Sequence, residues 1–251
     1  MSCHYIFNNI QMASIENSLS NYRVNIYAII VAGGSGSRMK SEIPKQFLPL
    51  NGKPILLHTI EKFLQIPDIQ LIIVLPENDI DFWNQITKDN ELIQNHKESI
   101  IITVGGASRF QSVKNGLSQI TTDGLVAVHD GVRPLVSIEI IKKSYLIALD
   151  TGSAVTSVWV KDSVRAIDAD GKSIAIDRGK LKLVQTPQTF QITKFKKAFE
   201  VEEQSFFTDC ASVMEFSGEK ITLIDGAYEN IKITTPEDLI IAEAIMNNQN
   251  H

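Results

Sequence analysis

The sequence predicts a doubly wound α/β fold, a mostly parallel sheet with helices on both faces and a projecting β-arm. Three observations carry that expectation. Short apolar runs rich in β-branched residues alternate with stretches of helical period across residues 26–150, which is the pattern of right-handed βαβ crossovers. The runs are apolar at nearly every position rather than at alternate ones, as strands covered on both faces are. Residues 161–182 then break the pattern, alternating charged, small and apolar residues around Asp170-Gly171, a hairpin turn signal. That stretch has too few apolar residues to bury itself and reads as an arm over about 158–181, either solvated or packed on a second subunit.

In order, Ile26–Ala32 is the first strand, ending in Gly33-Gly34-Ser35-Gly36-Ser37. Residues 53–65 form a helix with Ile55, Leu56, Ile60, Phe63 and Leu64 on one stripe and Pro54 in its first turn. Pro67-Asp68 stops it before a strand over 69–75, and a helix is expected around 79–90. A third strand over 100–104 runs into Gly105-Gly106, and a helix over 108–120 places Phe110, Val113 and Leu117 at core spacing. The fourth strand ends at Asp130, and Ser137 has the place of an N-cap for a helix through about Asp150. Ala154–Val160 is a strand, the doubly wound pattern resumes near Leu183–Thr189, and Thr235-Pro236-Glu237-Asp238 opens a final helix with a capping threonine and early acids. One domain over 25–251 accounts for all of this.

At 251 residues and 43% hydrophobic the chain can bury a full core, and its net charge of −5 argues against a nucleic-acid binder. No apolar run approaches the ~20 residues that span a bilayer. Cys3 and Cys210 stand far apart with no ligand spacing, which disfavours a disulfide scaffold or structural zinc and points to a reducing cytoplasm. Residues 1–24 are polar and Asn/Ser-rich, without the features of a secretory signal; they read as a disordered tail, with Met12 as another candidate start.

The glycine run that closes the first strand is followed by Arg38 and Lys45, with Pro44 stiffening the chain before the lysine. Backbone amides approach an anion closely where Cβ atoms are missing, so this loop is suited to a nucleotide triphosphate. It matches neither of the two familiar phosphate loops well, a P-loop-like phosphotransferase using Lys40-Ser41 standing as the alternative from another enzyme class. A dinucleotide fingerprint through Gly34 and Gly36 finds Met39 in place of its third glycine, and a Walker A reading ending in Lys40-Ser41 meets Met39 again. Ligands gather outside the carboxyl ends of parallel strands, and four such ends are expected to converge: Gly33–Lys45, Gly105–Ser112, Asp130 with Arg133, and Gln185-Thr186-Pro187. Asp130 is placed to hold a divalent ion against phosphates, or to cap the next turn. His129 reads as a packed side chain, and Arg133 as a brace for the Asp130 loop. No Ser–His–Asp or Cys–His set is evident.

The run A-G-G-x-G-x-R-M…P-K-Q-F, with GGASRFQSVKNGL (105–117), VHDGVRP (128–134), QTPQTF (185–190), FTDCAS (207–212) and ENIKITTPEDL (229–239), resembles the 2-C-methyl-D-erythritol 4-phosphate cytidylyltransferase family. The ribitol-5-phosphate cytidylyltransferases share the stretch at 44–54, but Asp177-Arg178 and Glu229-Asn230-Ile231-Lys232 favour the former. The resemblance implies a Rossmann-like nucleotidyltransferase that joins CTP to a polyol phosphate, with Mg²⁺ held at Asp130 and a homodimer formed through the arm. It implies a nucleotide site along Ala32, Gly33, Gly34, Gly36, Gly105, Gly106, Ala107, Ser112 and Asp130, and catalytic roles for Arg38, Lys45, Arg178 and Lys232. The polyol phosphate would meet Ser163, Asp177, Arg178, Thr186, Thr208 and Lys232, the first three reaching from the neighbouring subunit. Thr208 could equally be the N-cap of a helix over 209–216. Ala107 stands where relatives often carry an acid, and Ser163 where they carry a threonine.

Overall fold

The computed structural model describes residues 24–34, 39, 41 and 43–249. The expected tail over 1–24 therefore lies outside the described residues except for Val24, as do Gly36, Arg38 and Lys40. A seven-stranded sheet organises the chain in the order β11-β7-β10-β6-β1-β4-β5. The parallel half comprises β1 (Asn25–Val31), β4 (Gln70–Leu75), β5 (Ile100–Val104) and β6 (Gly124–Asp130). The other half adds β7 (Ser153–Trp159), β10 (Lys182–Gln191) and β11 (Leu223–Asp225), with β11 parallel to β7.

Strand β1 shows why the apolar runs are continuous. Ala28 and Ile30 join a core with Leu56, Ile60 and Phe63 of helix α1 (Ile55–Phe63), Trp83 of α2 (Ile80–Thr87), and Ile141 and Tyr145 of α5 (Ile138–Thr151). Ile29 and Val31 face the opposite core. There they meet Val113 and Leu117 of α4 (Arg109–Ser118), Phe195 of α6 (Ile192–Ala198), and Val213 and Met214 of α7 (Cys210–Phe216). Burying both faces at ~25 cal/mol per Å² makes this strand the centre of the fold. A third, smaller core of Leu50, Ile55, Val132, Leu135 and Ile233 lies under α8 (Pro236–Gln249).

Several boundaries shift for local reasons. Pro54 precedes α1 rather than sitting in its first turn, because it is extended (ψ 136°) and pairs, as part of β3 (Lys53–Pro54), with β2 (Pro49–Leu50). The helix expected around 79–90 ends at Thr87, and Asn90 caps a separate short helix, α3 (Glu91–Asn95), by accepting from the Ile93 amide. Ser137 accepts from the Ile140 amide as the expected N-cap of α5. Thr235 and Asp238 cap α8 reciprocally, Asp238 Oδ2 taking the Thr235 amide at 2.9 Å.

Two expectations are corrected. The pattern near Leu183–Thr189 is not another parallel strand: β10 runs antiparallel to both β6 and β7, with an irregularity between Val184 and Gln188. Gln185-Thr186-Pro187 is thus no carboxyl end but the middle of a bulged strand, with a cis Thr186-Pro187 peptide. Thr208 is also not the cap of α7. That place belongs to Asp209, whose side chain accepts from the Ser212 amide in a capping box. The arm itself is β8 (Val164–Ile167) paired antiparallel with β9 (Ser173–Ile176), a separate two-stranded sheet with its side chains largely exposed.

Candidate active site

Two clefts open beside the carboxyl ends of the parallel strands. The first, about 320 Å³, is bounded by Ala32, Gly33 and Gly34 after β1, by Lys45, and by Gly105, Gly106, Ala107 and Ser112 after β5. Main chain makes most of this wall. Gly34 has φ +148°, a conformation that side chains rarely adopt, and the Lys45 ammonium lies about 4.0 Å from where its Cβ would be. At Gly106 a Cβ would fall 2.3 Å from Gln111 Cβ, so only glycine lets the loop fold back on α4.

Three amide donors of the loop after β5 are engaged within the protein. Gly105 N–H donates to Leu75 O (2.8 Å), Gly106 N–H to Ser112 Oγ (3.1 Å) and Ala107 N–H to Gln111 Oε1 (3.1 Å). The Ser112 hydroxyl donates to Ser108 O at 2.8 Å. The loop's carbonyl oxygens can accept from a ligand.

The second cleft, about 310 Å³, is bounded by Val184, Gln185, Thr186 and Gln188 of β10 and by Thr208 and Asp209 ahead of α7. Here side chains make the wall. Gln188 is almost fully buried; its Nε2 donates to Asp209 Oδ2 (2.9 Å), and its Oε1 accepts from the amides of Cys210 and Ala211. It pins the start of α7, and so Thr208, to the strand.

Arg109, Asp130 and Lys232 border both clefts. Asp130 is 7% exposed and anchors three cations: Arg133 Nε at 3.0 Å and Lys232 Nζ at 3.2 Å on Oδ2, and Arg109 Nε at 3.8 Å on Oδ1. Burial alone would raise its carboxyl, but Arg109, Lys232 and Arg133 outweigh burial and hold it well below the usual carboxylate range. The Asp130 amide donates to Thr186 Oγ1, and that hydroxyl meets His129 Nδ1 at 3.1 Å. His129 Nε2 meets the Arg133 carbonyl at 3.2 Å, which can only accept, so Nε2 carries the ring proton and Thr186 donates to Nδ1. Burial brings the His129 pKa down to about 4, keeping the ring neutral. It packs on Phe63 and acts as a strut.

The family model of IspD, 2-C-methyl-D-erythritol 4-phosphate cytidylyltransferase, matches residues 26–248. The chain belongs to that family. It is 45% identical over 219 residues to the Bacteroides thetaiotaomicron 2-C-methyl-D-erythritol 4-phosphate cytidylyltransferase, covering 87% of this chain and 98% of that one. Its fold is similar to the crystal structure of 4-diphosphocytidyl-2C-methyl-D-erythritol synthase from Anaerococcus prevotii (TM-score 0.75, 30% identity, 89% of this chain and 99% of that one). It is likewise similar to the Francisella tularensis 2-C-methyl-D-erythritol 4-phosphate cytidylyltransferase (TM-score 0.70, 32% identity, 88% and 99%). Members of this family are CTP-dependent nucleotidyltransferases, and this chain is therefore an enzyme of that class.

Of the residues singled out from the sequence, Ala32, Gly33, Gly34, Lys45, Gly105, Gly106, Ala107, Ser112, Asp130, Thr186, Thr208 and Lys232 border one cleft or both. Arg38 and Gly36 lie outside the described residues. Ser163, Asp177 and Arg178 border neither cleft. They sit at the root of the arm, where Arg178 donates to the Lys161 carbonyl and Asp177 Oδ1 takes the Gly179 amide. Arg109 was missed by sequence reasoning although it stands inside the quoted run. Its signal was position: a cation at the first residue of a helix opposes the helix dipole and needs a reason to be there. Cys210 is buried and its thiol, pushed up by burial, stays protonated and accepts from Arg109 Nη1 at 3.3 Å.

Proposed function

We propose that the enzyme joins CTP to 2-C-methyl-D-erythritol 4-phosphate, giving 4-diphosphocytidyl-2-C-methyl-D-erythritol and pyrophosphate. One observation carries the reading: two clefts, one walled by glycine backbone and one by polar side chains, meet at the shared residues Arg109, Asp130 and Lys232. The first would hold the nucleotide and the second the polyol phosphate, with the α-phosphorus over the junction. A phosphate oxygen of the acceptor attacks that phosphorus. The new P–O bond forms as the bond to the β-phosphate oxygen breaks, and pyrophosphate leaves with the electron pair. A phosphate dianion needs no activating base, so the protein's task is positioning and charge neutralisation.

Lys45, with Arg38 from the same loop, would take the triphosphate and the charge that develops on the phosphorus. Lys232 and Arg109 would face the acceptor phosphate from the junction. The loop's carbonyl oxygens are suited to accept from the exocyclic amino group of cytosine, whereas uracil presents an acceptor at that position. Among the described residues no cluster of three or more His, Cys, Asp or Glu could cage a metal. Mg²⁺, however, is commonly held by one or two carboxylates together with substrate phosphates. Asp130 fits that mode, since its Oδ1 carries only the long Arg109 pair among the described residues. When bound, the ion would neutralise phosphate charge.

The arm supports a homodimer. Ile167 and Ile174 are 64% and 65% exposed on a two-stranded sheet that no other described strand covers. Ser163, Asp177 and Arg178 would then complete the second cleft of the partner subunit. A cytoplasmic place fits this chemistry, and among the described residues no helix is long and apolar enough to cross a membrane.

The deciding experiment is a coupled pyrophosphate assay with CTP or UTP against methylerythritol phosphate and ribitol 5-phosphate. Release is expected only with CTP and methylerythritol phosphate together; preferential use of ribitol 5-phosphate would overturn the acceptor assignment. For the arm, inactive Arg178→Ala chains are mixed with inactive Asp130→Asn chains. Activity returns if the arm works across subunits, and stays absent if Arg178 serves its own chain.

A further inference from the structure

Asn230 has no exposed surface and carries the buried side-chain oxygen Oδ1 that finds no hydrogen-bond partner among the described residues. A leucine of similar shape would take the donor away from the buried acceptors that this amide serves, so the amide is kept for its Nδ2 in spite of the unpaired oxygen. The side-chain amide and the main-chain carbonyl of Asn230 together join the bulge of β10 to the Asp130–Arg133 loop. Nδ2 donates to Thr186 O at 2.9 Å and to Gln185 Oε1 at 3.3 Å, fastening the bulge of β10. The Asn230 main-chain carbonyl accepts from Arg133 Nη1 at 2.9 Å, while Arg133 Nε holds Asp130 Oδ2 at 3.0 Å. Two residues further on, Lys232 reaches the same Asp130 oxygen at 3.2 Å.

The surrounding loop is otherwise held by a few bonds. Gln185 Nε2 donates to Ala227 O (2.8 Å), and Ile233 N–H to Val132 O (2.9 Å). Among the described residues Asn230 makes no hydrogen bond to Gly33, Gly34, Lys45 or the loop after β5, which line the first cleft. Asn230 is therefore tied to the acceptor side of the junction.

We propose that Asn230 is a positioning residue for the acceptor phosphate: its side-chain amide registers the loop bearing Lys232 against the β10 bulge, so that Lys232 stands beside Asp130. The proposal rests on the reading of the second cleft as the acceptor site. It acts through Lys232 and predicts a split between the two substrates that a general loss of packing would not produce.

The test compares Asn230→Ala, Asn230→Asp, Lys232→Gln and the double variant Asn230→Ala/Lys232→Gln in steady-state kinetics with CTP and methylerythritol phosphate. Asn230→Ala is expected to raise the KM for methylerythritol phosphate about tenfold while the KM for CTP moves less than about twofold. Asn230→Asp, which keeps the shape but places an acceptor against Thr186 O and Gln185 Oε1, should be at least as impaired. The double variant should be no worse than Lys232→Gln alone, because both changes remove one interaction. Equal rises in both KM values, or fully additive losses, would overturn the proposal. So would a variant too unstable to bind CTP in a direct titration. If the wild-type enzyme itself releases no pyrophosphate with methylerythritol phosphate, the functional reading falls; if it does and Asn230→Ala is neutral, only this inference falls.

Discussion

The two clefts meet at the same three residues yet are made of different material. The first is shaped by main chain, with glycines at the ends of β1 and β5 and Lys45 leaning over Gly34. The second is shaped by side chains that hold one another, through Gln188, Asp209, Thr186, Arg133 and Asn230. A triphosphate is a repetitive anion that backbone can cradle at strand and helix ends. A branched polyol phosphate presents hydroxyls in a particular order, and distinguishing it takes side chains fixed in a network. The difference teaches that, on the proposed reading, holding the nucleotide's phosphates and selecting the acceptor rest on separate structural means in one small domain.

Changes at the junction should erase the distinction and have the largest effect. Asp130→Asn removes the anchor of three cations and is expected to lower kcat/KM for both substrates by about 10³ or more; a loss confined to one substrate would contradict the shared junction. Lys45→Ala should cost about 10²–10³ in kcat, whereas Lys40→Ala should change it less than about twofold, which separates this loop from a Walker-type reading. Gly106→Ala sharpens the contrast from the backbone side. Its methyl group meets Gln111, so the KM for CTP should rise about tenfold with roughly 1–3 kcal/mol of lost stability, while the acceptor KM is nearly unchanged. Gln188→Leu is the mirror test: it orphans the amides of Cys210 and Ala211 and should raise the acceptor KM several-fold with little effect on CTP.

The smallest effect lies away from both clefts, at His58, which meets the Leu50 carbonyl through Nε2 at 2.8 Å. Burial holds its pKa below the ordinary value, so the unfolded chain takes up the proton first. The stability this neutral ring contributes is present above about pH 6.5 and is lost as the pH falls through and below that value. His58→Gln should flatten that part of the curve of Tm against pH; an unchanged slope would mean that other groups govern it.

The first cleft was more legible in the sequence than the second, for a physical reason. Continuous apolar runs ending in Gly33-Gly34 or Gly105-Gly106 leave few choices of structure, and α4 is where its core spacing places it. The direction of β10 left no such mark. A strand buried on both faces has the same composition whether parallel or antiparallel, and its bulge at Gln185-Thr186-Pro187 resembles a strand end locally. Thr208 and Asp209 are both good N-caps, and the choice was made by Ser212 and Gln188, one of them across the fold. Arg109 and Asn230 escaped because their partners, Asp130, Cys210, Thr186 and Arg133, are 21 to 101 positions away, a spacing without period.

The cluster at Asp130 also sets how the enzyme meets its substrates in solution. The chain as a whole is acidic, with a net charge of −5, so bulk electrostatics repels polyphosphates. Yet at the floor of the paired clefts three cations stand around one carboxylate, leaving a local excess of positive charge in a recess where water screens it poorly. An approaching anion meets repulsion from the chain's net charge and local attraction from the cluster at Asp130. Added salt weakens both fields, so it should slow capture at the clefts more than it relieves repulsion elsewhere, and the enzyme would work best in dilute buffer.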